Sequence, residues 1–275
     1  MHIIKQVTAR LLSLLLVMLL ASAAPAASAA SAAELTPSIK AAFDLTAAKT
    51  DDTTRARLNT LYSELSVLKT EFNNREAQIR TLHYSNEQTL TAVRGQIKQI
   101  DQAAISRLEL NVSSVKQRYQ PLFDQYTALN RQMKLAKGLK NKTLNSLLRN
   151  QADAMKILVQ IAKQNIRDEQ EALKTAKAVR THRISAARKT LDGISTPQTA
   201  IKAQKSAVTA LNKRLSADWG SFTSAIRKQN APLTLQSLSS LVSGYRQMAA
   251  YKQKIITLEQ KVAEVIQNTK RQIGA

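Results

Sequence analysis

The sequence predicts an all-α protein, an elongated bundle or hairpin of long coiled-coil-like helices. Three observations carry this: apolar residues recur every three and four positions through most of the chain, glycine and proline number only 6 and 5, and aromatics make up 4%. Few turn-formers and few bulky rings suit narrow seams of Leu, Ile, Val and Ala between long helices better than a sheet or a thick globule.

The prolines after residue 33 punctuate these helices. Pro37, Pro121, Pro197 and Pro232 each sit where a helix can begin, because proline is tolerated in the first turn, where its missing N–H would have no partner. Residues 34–50 are expected to hold a short helix. Asp51 and Asp52, followed by two threonines, make a good start for the next. From there Leu58, Leu61, Leu65, Leu68, Phe72, Ile79 and Leu82 form a heptad seam, resumed at Leu90, Val93, Ile97, Ile100, Ala104, Leu108, Val112, Val115 and Tyr119. Unbroken, this helix would run from Asp52 to Tyr119; its weakest stretch is Tyr84, Ser85 and Asn86, where continuity, a bend and a break all stay open. A shorter helix should run over 121–137 and stop near Gly138. Asn141 then caps a helix to Leu191, with Leu144, Leu148, Met155, Leu158, Ala162, Ile166, Leu173, Ala176, Ile184 and Leu191 inward. Residues 51–192 therefore read as antiparallel hairpins.

Residues 193–197 (GISTP) read as a linker. Residues 198–275 then supply two further antiparallel helices, the first with a possible bend at Trp219 and Gly220. Short connections make successive helices antiparallel. An intermolecular coiled coil is the alternative arrangement.

Residues 1–33 read as a secretory signal peptide. Lys5 and Arg10 form a basic head, residues 11–20 (LLSLLLVMLL) the apolar stretch, and Ala27-Ser28-Ala29 and Ala30-Ser31-Ala32 two small-x-small cleavage candidates. The uncharged run 11–33 would also just span a bilayer as an uncleaved anchor, but Pro25 and the Ala/Ser-rich stretch after it favour cleavage. The expected location is secreted or extracytoplasmic, at the cell envelope. The chain has no cysteine, so no disulfide holds it together and no cysteine-linked lipid anchors it.

No constellation for catalysis emerges, and the chain is expected not to be an enzyme. His83 and His182 lack the spacing of a metal site, and no cofactor or metal is expected. Asp168, Glu169 and Glu171 lie among Lys163, Arg167 and Lys174, which reads as solvated ion pairing on a helix. There is no GxSxG elbow and no glycine-rich phosphate loop. Trp219 with Phe222, and the group Tyr119, Phe123 and Tyr126, read as packing residues.

Charge is the one positive functional signal. The formal net charge is +22, and residues 125–258 hold 24 Lys/Arg against 6 Asp/Glu, whereas residues 34–124 hold 12 against 11. A field of this sign attracts polyanions and anionic surfaces through long-range, salt-sensitive forces. Two acid-free runs concentrate it: Arg131, Lys134, Lys137, Lys140, Lys142 and Arg149, then Lys174, Lys177, Arg180, Arg183, Arg188 and Lys189. Spacing by three winds these charges around a helix, which favours diffuse attraction over a groove; the plainer reading is a solvated, solubility-keeping surface. The expected partner is an anionic cell-wall polymer or membrane surface, with a protein partner through the helices also possible and nucleic acid disfavoured by export. Burial of an amphipathic face in lipid is disfavoured by the narrow seams.

Two other readings stand beside docking. In charge and helicity the chain resembles the Skp family of periplasmic chaperones, which implies an extracytoplasmic holdase, although no β-rich segment for a trimeric body is present. Exported helical arms also occur on regulators of cell-wall hydrolases. Through Leu82-His83-Tyr84-Ser85-Asn86-Glu87, Arg118-Tyr119-Gln120-Pro121-Leu122-Phe123 and residues 139–155 (LKNKTLNSLLRNQADAM), the chain resembles secreted helical proteins of Gram-positive spore-forming bacteria. That resemblance implies export and helicity, and no activity.

Overall fold

The computed structural model describes residues 34–274, and the signal-peptide reading of 1–33 lies outside the described residues. The fold is an all-α bundle. Among the described residues six α-helices follow in order: α1 (Pro37–Ala48), α2 (Asp52–Gln99), α3 (Gln102–Gly138), α4 (Lys142–Leu191), α5 (Ser195–Arg227) and α6 (Ala231–Ile273), with a 3-10 turn at Asp192–Ile194 between α4 and α5. At ~1.5 Å per residue the 50-residue α4 is about 75 Å long.

Helix starts are chemically ordinary. Thr36 Oγ1 accepts from Ile39 N at 3.3 Å, Asp51 Oδ1 from Thr54 N at 2.8 Å, Asn141 Oδ1 from Leu144 N at 3.0 Å and Asn230 Oδ1 from Leu233 N at 3.0 Å. Each satisfies an amide that the first turn leaves without an intrahelical partner. The turns before α4 and α6 share one construction. Lys140 (φ 54°) and Gln229 (φ 51°) adopt left-handed backbone. The next residue's N–H, from Asn141 or Asn230, reaches back to Ala136 O at 3.3 Å or Ala225 O at 3.0 Å and closes the preceding helix.

The chain divides into two units, one holding the residues up to Asn86 with Ser195–Val262, the other Glu87–Ile194 with the residues after Val262. In the first, α1, the start of α2, α5 and most of α6 enclose a core of Phe43, Leu58, Leu65, Phe72, Leu211, Leu215, Phe222, Ile226, Leu238, Leu241, Tyr245 and Met248. Its rings are in contact: Phe43 stacks on Tyr62 at 4.4 Å, Trp219 meets Phe222 at 5.4 Å, and Phe72 meets Tyr245 edge-on at 6.1 Å. Emptying such a site, as in Phe222→Ala, costs about 3–5 kcal/mol. Here α2 and α6 run parallel, because their cross-contacts advance together: Glu64 with Arg246 at 2.5 Å, Arg75 with Ala249 O at 2.6 Å, Asn86 with Glu259 at 2.8 Å.

The second unit is built on the antiparallel α3–α4 hairpin, whose cross-contacts run in opposite order: Asp101 with Arg183 at 2.6 Å, Glu109 with Lys177 at 2.7 Å, Tyr119 Oη with Asn165 Nδ2 at 2.8 Å. Its seam relies on small residues. Leu129, Ala136, Leu148 and Ala152 are buried near the tip, with Tyr126, Met133 and Met155 packed on them, and Val159 and Ala162 continue the line.

Several sequence expectations need correction. The helix does not break at 84–86: Asn86 takes a seam position, is buried, and gives its amide hydrogens to Glu259. The interruption comes at Ile100 and Asp101, where Asp101 (φ 54°) turns the chain into α3. No helix begins at Pro121, which lies inside α3 on its exposed side, so the carbonyl of exposed Gln117 that loses a donor faces water. Residues 193–197, within which the division between the two units falls, are wound into the 3-10 turn and the start of α5. Ile194 and Pro197 are buried, Val265 lies 3.5 Å from where a side chain on Gly193 would begin, and Pro197 falls in the first turn of α5. Trp219 and Gly220 interrupt nothing; α5 runs through them. In α4, Leu144 and Leu158 point outward, and Ala152, Val159 and Ala187 hold the seam positions.

Candidate polyanion-binding surface

All twelve cations singled out by the sequence lie in the second unit, on or beside the α3–α4 hairpin. The structure separates them into two groups with different duties.

The first surrounds the hairpin turn. Arg131, Lys134 and Lys137 belong to the last turns of α3, Lys140 is the left-handed turn residue, and Lys142 and Arg149 belong to the first turns of α4. All six are exposed. Among the described residues none of them has a carboxylate within ion-pairing distance, and residues 125–152 contain no Asp or Glu. Helix geometry on its own would spread such charges around an axis, as the three-residue spacing implies. The hairpin brings two such helix ends side by side, so six positive side chains share one end of the unit.

The second group, on the far half of α4, is largely engaged. Arg180 donates from Nε to Ile100 O at 2.8 Å and from Nη2 to Lys98 O at 3.0 Å. Those carbonyls close α2, where orphaned acceptors and the negative end of the helix dipole favour a guanidinium. Arg183 pairs with Asp101 at 2.6 Å, Lys177 with Glu109 at 2.7 Å and Lys174 with Glu171 at 3.2 Å. Arg188 stays exposed and, with Arg94, Lys98 and Asp192, borders an open pocket of about 250 Å³; Lys189 is exposed. Arg180, Arg183 and Lys177 therefore fasten the α2–α3 junction to α4, whereas among the described residues all six cations of the tip are without an ion-pair partner.

Sequence reasoning missed a second polar feature, inside the first unit. Glu259 is 2% exposed; its carboxylate accepts from Asn86 Nδ2 at 2.8 Å and lies 3.1 Å from His83 Nδ1. Lys252 is 1% exposed, meets Glu76, and stands 3.6 Å from the centroid of the Phe72 ring. Desolvation pushes the Lys252 ammonium below the usual lysine range, and Glu76 opposes that only in part. Lys252 and Glu259 occupy core positions of α6 in register with Tyr245, Met248, Ile255 and Val262. An ionisable residue in an apolar register is the only sequence trace of such a site, and it reads equally as a gap in the seam. His83, taken from the sequence as standing alone, owes its partner to the fold, which brings together residues 176 positions apart.

Among the described residues no helix is long and apolar enough to cross a membrane, and no group of three or more His, Asp or Glu is arranged to hold a metal ion. Set against known proteins, the chain matches no family model, no curated protein and no solved structure.

Proposed function

We propose that this chain is a non-catalytic exported protein that associates electrostatically with anionic polymers or surfaces of the cell envelope, through the tip of its α3–α4 hairpin. The observation that carries the reading is the set of six exposed cations at that tip, with no acid in residues 125–152 and no ion pair among them. Charges committed to the fold, such as Arg180 and Arg183, gain nothing further from a ligand without releasing their partners. The tip cations have no such partners to release. Export rests on the character of residues 1–33, and the non-catalytic reading on the lack of a GxSxG elbow, of metal-ligand histidine spacing and of a glycine-rich phosphate loop.

The test is sedimentation of the processed chain with purified cell walls as salt rises from about 50 to 500 mM, which shortens the Debye length from about 14 to 4 Å. Binding at low salt that fades over this range, and that is lost on walls stripped of anionic polymer, supports the reading. Binding indifferent to salt contradicts it.

A further inference from the structure

Charge is not all that the hairpin tip exposes. Leu135 is 68% exposed, Leu139 78%, Leu144 41% and Leu147 59%. All four lie within about two helical turns of the connection between α3 and α4. Leu135 and Leu139, four apart, share one side of the last turns of α3, and Leu144 and Leu147, three apart, share one side of the first turns of α4. They are left out because the seam beside them is filled by Ala136, Leu148 and Ala152. Lys134, Lys137, Lys140 and Lys142 are interleaved with them in sequence.

We infer that the end of the α3–α4 hairpin seats on the surface of an anionic lipid bilayer, its four leucines entering the headgroup–acyl boundary and its lysines meeting lipid phosphates. This rests on the electrostatic reading above and names the surface. A soluble polyanion would answer the cations and leave the leucines in water. A second copy of this chain, joined tip to tip, would cover the leucines but set six cations against six, with no acid on either side. An anionic bilayer meets both demands, since long lysine stems keep their ammonium groups among the headgroups while neighbouring apolar side chains sink below them. The contact is interfacial, since no described helix can cross the bilayer.

The experiment compares the processed chain with two variants, Leu139→Ser/Leu144→Ser and Lys134→Gln/Lys137→Gln/Lys140→Gln/Lys142→Gln. The ligands are phosphatidylglycerol–phosphatidylcholine vesicles, phosphatidylcholine vesicles and soluble polyphosphate. Helicity by circular dichroism verifies folding, which exposed positions put at little risk. The expected result is binding to phosphatidylglycerol vesicles but not to phosphatidylcholine alone. The leucine variant should lose about tenfold or more on vesicles and keep its polyphosphate affinity. The lysine variant should lose on both, roughly fivefold per charge on vesicles. In a third variant, Leu139→Trp, lipids brominated on the chains should quench fluorescence beyond what the parent's Trp219 shows.

A leucine variant that binds vesicles like the parent, or a Leu139→Trp signal that brominated lipid leaves untouched, overturns insertion while leaving electrostatic docking intact. Polyphosphate binding without vesicle binding does the same. A lysine variant unchanged on both ligands overturns the electrostatic reading itself. A halved solution mass for the leucine variant in the absence of lipid assigns the tip to self-association, and overturns the bilayer.

Discussion

Two glycines in long helices behave oppositely because of what surrounds them. Gly244 on α6 stands where α5 crosses: a methyl group there would lie 2.5 Å from Leu215 Cδ2 and 3.3 Å from its Cγ, and Leu215 is itself buried. Gly95 on α2 has nothing within 4 Å. Gly95→Ala should therefore raise stability by about 0.5–1 kcal/mol through helix propensity. Gly244→Ala should lower it, because overpacking of about 1–3 kcal/mol outweighs the same gain. Denaturant unfolding of the two variants reads both signs. Lys252 poses a subtler question. Burial holds its folded pKa below the unfolded value, so the folded state binds fewer protons than the unfolded one between those two values. Stability accordingly rises with pH through that alkaline window, and the penalty is fully present below the folded pKa. Against the penalty stand the Glu76 contact and the Phe72 ring, the latter worth about 2 kcal/mol when desolvated. Because Glu76 and the Phe72 ring offset the penalty only in part, Lys252→Met should keep stability at neutral pH or raise it slightly, and flatten its alkaline rise. A loss of several kcal/mol would mean the ion pair dominates.

At the scale of elements, the turns before α4 and α6 use the same device with different backing. Each has a left-handed residue followed by an asparagine cap, but the α5–α6 turn adjoins the aromatic core through Ile226, whereas the α3–α4 turn adjoins a small cluster built on Ala136 and Ala152. Asn230→Ala should lower global stability by about 1 kcal/mol. Asn141→Ala should leave global stability nearly unchanged and speed amide exchange at the ends of α3 and α4, since that end buries too little to open only with the whole. Equal global losses would show the hairpin tip to be as firmly held as the core.

Much of this element structure was legible in the sequence, for local reasons. The caps at Asp51 and Asn141, the stop at Gly138 and the prolines of α1, α5 and α6 act within one turn of themselves, and the apolar rhythm of α2 marks its buried face through Leu58, Leu65, Phe72, Val93 and Ile97. What escaped depends on distant residues. The turn at Asp101 is held by Arg180 and Arg183, about eighty positions away. The helix persists through Asn86 because Glu259 satisfies it. Along α4 the seam was legible through Leu148, Ala162 and Leu191, but Leu144 and Leu158 face outward while Ala152 and Val159 take the tight positions, which hydrophobicity alone does not indicate.

For the whole molecule, the candidate site was half legible. Counting charges located the basic block and its acid-free runs, because composition survives folding. Sorting that block did not follow from composition: Lys177 and Arg183 differ from Lys134 and Lys137 only in having Glu109 and Asp101 across the hairpin. Nor were exposed leucines at the tip legible, since Leu144 falls in the apolar rhythm of α4 and reads as inward. The net charge of +22 ensures some attraction to any polyanion, so affinity alone says little about place.

Location is read by following affinity for wall-derived anionic polymer against salt for three chains: the parent, a tip variant with Arg131, Lys134, Lys137, Lys140, Lys142 and Arg149 changed to Gln, and a control with Lys174, Arg188 and Lys189 changed to Gln. If the hairpin tip is the docking end, the parent weakens steeply with salt, the tip variant binds weakly with a shallow dependence, and the control follows the parent closely. A tip variant that tracks the parent, with the control losing as much or more, would contradict the assignment.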